Sequence, residues 1–130
     1  MLAAVVGAGA VGVRVGRQLV GSGAQVVVQD TDGARADEVS RSLGDQARVV
    51  PFTAALPDET DVAVLCGPAG TQSTRARDLI GRRIALVSVG DDLEETRRFL
   101  ELDGLARDHG VPVVIGCGFS PGLSCILARH

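Results

Sequence analysis

The stretch Leu2-Ala3-Ala4-Val5-Val6-Gly7-Ala8-Gly9-Ala10-Val11-Gly12 carries the decisive reading of this chain. Five apolar residues run straight into a Gly-x-Gly-x-x-Gly turn, which opens a helical pattern with Val11, Val15 and Leu19 on one face. Glycines are frequent here, 17 in 130 residues, so the spacing alone is weak evidence. The context is what counts, a strand before the turn and a helix after it. Each glycine then has its own task. Gly7 permits the tight turn, Gly9 lets a pyrophosphate approach the backbone, and Gly12 lets the helix pack closely on the sheet. The free N–H groups of Ala10 and Val11 point at the phosphates, helped by the positive end of the helix dipole. Gly16, one turn on, is a poor helix former and marks a further close contact. A tight turn that binds nothing is the alternative.

Outward from that turn, apolar runs alternate with helical patterns, as βαβ units of a parallel sheet require. Strands are expected at Leu2–Val6, Gln25–Gln29, Arg48–Pro51, Val62–Cys66, Ile84–Ser88 and Val111–Ile115. Helices are expected at Ala10–Val20, Asp32–Leu43, Gly70–Ile80 and Asp91–Asp108, the last breaking near Asp103-Gly104 because glycine is costly inside a helix. Thr53–Leu56 reads as one short turn. Strands joined by right-handed crossovers in this sequence give a doubly wound α/β Rossmann fold, three αβα layers with strand order 3-2-1-4-5-6. The composition agrees. The chain is 45% hydrophobic and only 2% aromatic, without Trp or Tyr, so Val, Ala, Leu and Ile must build the core. Such residues suit the strands of a buried parallel sheet.

Asp30 sharpens the chemistry. It ends the second strand, 18 positions after Gly12, where a Rossmann domain places the acid that binds the adenosine ribose. A 2′-phosphate there would meet a carboxylate, a repulsion of about 4 kcal/mol per unit charge at ~4 Å and an effective dielectric of ~20. NAD is therefore expected over NADP. Thr31 and Asp32 are the neighbours that share the adenosine side, and Arg35, one turn along the helix, is a group that a 2′-phosphate could use. The plainer reading is that Asp30 or Asp32 caps the following helix.

Two later loops are further candidates. Cys66-Gly67-Pro68-Ala69-Gly70 follows the fourth strand and can lie across the cofactor. Ser88, after the fifth strand, would be nearer the nicotinamide, and is as readily a satisfied turn hydroxyl as a ligand. Cys66 lacks a nearby histidine to activate it, so a buried apolar thiol is favoured over a nucleophile. Asp91 with Glu94 reads as a helix N-cap with its capping-box partner rather than a metal or acid/base pair. His109, just before Gly110, suits a helix C-terminus.

Several classes of function are disfavoured. Net charge is −3 with no basic block, which argues against nucleic acid. No apolar run approaches the ~20 residues of a membrane span. The three cysteines lack metal-ligand spacing, so reduced thiols in a cytoplasmic setting are the simplest reading and no metal is expected. All 13 basic residues are Arg. Without Lys or Tyr, neither a Tyr/Lys couple nor a lysine base is available.

The end of the chain adds a family signal. Residues Gly116-Cys117-Gly118-Phe119-Ser120-Pro121-Gly122-Leu123-Ser124, taken with the glycine turn and the Cys/Gly/Pro loop, resemble the N-terminal domain of the saccharopine dehydrogenase-like family. The resemblance implies NAD(P)-dependent oxidoreduction at a carbon–nitrogen bond of an amino-acid-like substrate. Many relatives carry an Arg after strand two where this chain has Asp30-Thr31, which departs toward NAD. The resemblance also implies a nucleotide domain over residues 1–116, with 117–130 starting the connection to a C-terminal catalytic domain that binds the small-molecule substrate. Leu123, Ile126 and Leu127 would form an apolar helix face left uncovered at the end of the chain. No catalytic residue is carried over, and a homodimer is left open. The alternative from another class is a nucleotide-sensing regulatory domain of the kind that gates potassium transport.

Overall fold

The computed structural model describes residues 1–118 and 122–129. In chain order the elements are β1 (Leu2–Val6), α1 (Ala10–Gly21), β2 (Gln25–Gln29), α2 (Gly33–Leu43), β3 (Ala47–Val49), β4 (Val62–Leu65), α3 (Gln72–Gly81), β5 (Ala85–Ser88), α4 (Leu93–Leu100), α5 (Asp103–His109), β6 (Val113–Val114) and α6 (Leu123–Arg129). The sheet order is β3-β2-β1-β4-β5-β6, the doubly wound Rossmann order that the sequence predicts. The chain divides into two compact units, Met1–Cys66 and Gly67–His130.

The first unit is built around β1, which pairs in parallel with β2 on one side and β4 on the other, Val5 standing opposite Val28 and Val64. Because side chains alternate across a strand, Val26 and Val28 face the same way. With Val5 they pack against Ala36, Val39 and Leu43 of α2, while Val13, Val15, Leu19 and Val20 of α1 close over the same cluster. Fully burying one such valine contributes about 1.5–3 kcal/mol. The expected face of α1 needs one correction, since Val11 is 50% exposed and lies off the packed stripe. The close contact expected at Gly16 is present, because a Cβ there would stand 2.8 Å from Leu43 Cδ1. Asp32 caps α2 by accepting the Arg35 N–H at 3.1 Å, so the helix itself starts at Gly33.

β3 is shorter than expected for a stereochemical reason. The ladder continues one residue as Val50 N–H donates to Val28 O, but Pro51 has no N–H to give. The short turn lies at Phe52-Thr53, a little before its predicted place, with Ala54 N–H donating to Pro51 O at 2.9 Å.

In the second unit β5 and β6 pair in parallel, Leu86 opposite Val113. Ala76, Leu79 and Ile80 of α3, Phe99 of α4 and Ala106 of α5 are buried. β6 is reduced to two residues because the Val111 N–H is taken by Ala106 O at the end of α5 and Pro112 cannot donate. The predicted long helix is two helices, and the break falls at Glu101-Leu102, with Asp103-Gly104 opening α5 instead of ending α4. The expected cap also shifts by one residue. Asp92, not Asp91, accepts the Glu95 N–H at 2.8 Å, and Glu94 pairs with Arg97. His109 ends α5 before Gly110 in the left-handed region, as expected. On α6, Leu123, Ile126 and Leu127 are exposed. Phe119, Ser120, Pro121 and His130 lie outside the described residues, so the centre of the late family motif does too. Among the described residues no helix is long and apolar enough to cross a membrane.

Candidate functional site

The three glycines of the first turn differ in why they are there. Gly7 has φ +108°, a backbone that side chains rarely adopt, and its N–H donates to Gln29 O at 2.8 Å. A Cβ on Gly12 would fall 1.8 Å from Gly7 O, so the turn closes only over a glycine. Gly9 is different. It has φ −74°, which any residue can adopt, and a Cβ there would meet nothing within 4 Å.

Gly9 is also the N-cap of α1, and it supplies no side-chain hydrogen bond to the helix start. The first turn of α1 holds no acidic residue. The opening N–H groups of a helix have no intrahelical acceptor, and capping side chains usually satisfy them. Here no side chain caps them, and a Cβ on Gly9 would meet nothing within 4 Å, which suits an anion at this helix start.

Asp30 ties this turn to the end of β2. Its Oδ2 accepts the Ala8 N–H at 2.6 Å and its Oδ1 accepts the Asp32 N–H at 2.8 Å. The Thr31 hydroxyl donates to Oδ1 at 3.4 Å. Partial burial pushes the Asp30 carboxyl up, but the Asp32 and Ala8 amides, the Arg35 guanidinium and the Thr31 hydroxyl outweigh it, so it titrates below its ordinary 3.8. The capping role considered for Asp30 thus falls to Asp32, and Asp30 is left as an ionised acceptor beside the glycine turn. Arg35 points to Asp32 at 3.6 Å, and both side chains are about half exposed.

Sequence reasoning missed Gln29. It is wholly buried at the end of β2, and its Nε2 donates to Pro51 O at 2.9 Å and Ala54 O at 3.0 Å, pinning the loop after β3. A polar amide closing the Val26-Val27-Val28 run was the available signal. Cys66 joins the same unit, its N–H donating to Val6 O at 2.8 Å. Burial pushes its thiol up to about 11, so at neutral pH it is a thiol and not a nucleophile.

In the second unit the loops after β4 and β5 meet at one side chain. Gln72, 4% exposed, donates from Nε2 to Gly67 O at 2.7 Å and accepts the Ser88 hydroxyl at 2.8 Å. Ser88 Oγ in turn accepts the Gly90 N–H at 3.2 Å. The Ser88 hydroxyl is thus bonded both to Gln72 and within its own turn. Pro68 O accepts the Thr71 hydroxyl at 2.8 Å. A groove of about 460 Å³ between α4, α5 and β6 is lined mainly by apolar side chains such as Phe99, Leu102 and Val111, and its Asp103 and Arg107 pair with each other at 2.9 Å. Among the described residues no cluster of three or more His, Cys, Asp or Glu is placed to hold a metal ion.

No protein-family model and no curated protein matches the chain. Solved structures do. UDP-N-acetylglucosamine 3-dehydrogenase GnnA from Acidithiobacillus ferrooxidans is similar at 27% identity and TM-score 0.72, over 89% of this chain and 36% of that one. WlbA dehydrogenase from Chromobacterium violaceum, solved with NADH and UDP-GlcNAcA, is similar at 18% identity and TM-score 0.70, over 88% of this chain and 34% of that one. GenD2 from gentamicin A biosynthesis, solved with NAD, is similar at 23% identity and TM-score 0.69, over 89% and 34%. The chain has the fold of the nucleotide-binding part of such oxidoreductases. It spans about a third of the length of the structures it matches.

Proposed function

We propose that this chain is the cofactor-holding domain of an NAD-dependent oxidoreductase. One observation carries the reading: Gly7 and Gly12 are needed by the fold itself, whereas Gly9 has no internal reason to be glycine. A backbone kept bare at the uncapped start of a helix leaves room for a pyrophosphate. The N–H groups of Ala10 and Val11 hold the phosphates. Asp30, ionised and oriented by two amides, accepts the adenosine ribose hydroxyls, with Thr31 beside it. The same charge repels a 2′-phosphate, and Arg35 is engaged with Asp32, so NAD is preferred to NADP. NAD supplies the hydride acceptor, and NADH the donor. The backbones of Cys66, Gly67, Pro68 and Ser88 line the nicotinamide side, because ligands of such sheets sit at the carboxyl ends of the strands.

The groups that react with substrate are proposed to lie in a further domain, entered through residues 117–130. For the substrate, two readings rest on different observations. The late motif of residues 116–124 favours a carbon–nitrogen bond, as in the saccharopine dehydrogenase-like family. The similarity to a UDP-N-acetylglucosamine 3-dehydrogenase favours an alcohol carbon of a sugar-like substrate.

Titration calorimetry tests the core of the proposal. NAD should bind in the micromolar range, and Asp30→Ala should weaken it about tenfold or more, the worth of about 1.4 kcal/mol. Absence of binding by NAD, NADH, NADP and NADPH would overturn it.

A further inference from the structure

The start of α3 is held in an unusual way. Its N-cap, Thr71, makes no side-chain capping bond, and its hydroxyl donates to Pro68 O. The cap comes from elsewhere. Glu95, in the first turn of α4 and 2% exposed, accepts the Ser73 N–H at 2.5 Å through Oε1. Glu95 is itself oriented by Asp92, which accepts its N–H. One residue earlier, Gln72 uses both ends of its amide, one on the loop after β4 and one on the end of β5. Gly90 lies directly on this arrangement, since a Cβ there would stand 3.4 Å from both Gln72 Nε2 and Ser88 Oγ.

Keeping an amide and a carboxylate this deeply buried is costly, and Glu95 Oε2 is buried without a hydrogen-bond partner. The bonds that Gln72 and Glu95 Oε1 do make rigidify what they join. Here the joined parts are the loops at the carboxyl ends of two neighbouring strands in sequence. We propose that Gln72 and Glu95 are positioning residues that clamp Gly67–Thr71 to Ser88–Gly90 through the start of α3 and so fix the surface offered to the nicotinamide half of the cofactor. The functional half of this statement rests on the dinucleotide reading above.

The test compares NAD with ADP-ribose, which keeps the adenosine and pyrophosphate but lacks nicotinamide. In the whole chain, Gln72→Leu should lower NAD affinity about three- to tenfold, the worth of one ordinary polar contact, and leave ADP-ribose unchanged. Amide exchange should quicken together at Gly67–Thr71 and at Gly90. Glu95→Leu should do the same, and Glu95→Gln, which still offers an oxygen to the Ser73 N–H, should restore both readouts. If Gln72→Leu does not fold, Ser88→Ala removes one bond of the clamp at little change in volume and should give the same selective loss. Equal weakening of both ligands, no weakening of either, or a wild-type chain that binds NAD no tighter than ADP-ribose would overturn the positioning role. A wild-type chain that binds neither ligand would overturn the dinucleotide reading instead, and the exchange data would still judge the clamp.

Discussion

The glycine turn after β1 and the clamp at the start of α3 both hold loops at strand ends, by opposite means. The turn works by subtraction. Gly12 is bare so that Gly7 O can sit where a Cβ would be, and the geometry needs nothing but adjacent backbone. The clamp works by addition, with Ser88 donating to Gln72 across 16 positions of sequence and Glu95 accepting the Ser73 N–H across 22. A device made of missing side chains tolerates no addition, whereas one made of polar side chains tolerates shape-keeping changes that preserve the bonds.

That contrast can be broken by substitution. Gly12→Ala should have the largest effect, costing at least about 3 kcal/mol through overpacking against backbone that cannot move aside. Thermal unfolding should register it as a drop of about 10 °C or more. Wild-type stability in that variant would mean the turn is looser than its contacts say. Gln72→Leu should cost less, about 2 kcal/mol, because Gly67 O and the Ser88 hydroxyl lose buried partners but no atoms collide. Denaturant titration would measure it, and a neutral result would demote the clamp to ordinary packing. Gly9→Ala separates the two kinds of glycine within the turn itself. Its stability should hold or rise by about 0.4–1 kcal/mol, since the backbone there suits alanine, while NAD binding weakens. Loss of stability without loss of binding would reverse the case for a ligand at this turn.

The smallest effect concerns acid. Asp30 titrates below its ordinary value in the folded chain, so its contribution is fully present above about pH 3.9, the unfolded carboxyl value, and fades as pH falls through the lower folded value. Asp30→Asn should therefore be less stable than wild type near neutrality, and the gap should close in strong acid. Acid titrations of the two proteins followed by circular dichroism would show it. A gap that persists unchanged at low pH would mean the carboxylate's charge is not what matters.

The same contrast explains what sequence reading could reach. The turn, β1, β2 and Asp30 were legible because their rule is local and fixed in spacing. Strand order followed from the alternation of apolar runs. Some elements failed to match: β6 lost Val111 to the end of α5 and Pro112 to its missing N–H, and the cap of α4 fell one residue late, on Asp92. Val11, the second residue of α1, fell off the packed face and is half exposed. Gln72 and Glu95 were invisible for a different reason. Each is an ordinary polar residue whose partners are set only once distant strands are in place.

The central place of β1 has a consequence for how the chain is made. One edge of β1 is completed by β2 soon after, but the other waits for β4, whose neighbour Asp61 reaches back 59 positions to the Leu2 N–H. Until that segment has left the ribosome, a strand of five apolar residues presents an open edge to any other chain nearby. Translation that stalls between β3 and β4 leaves a strand destined for burial as the stickiest surface of the first unit.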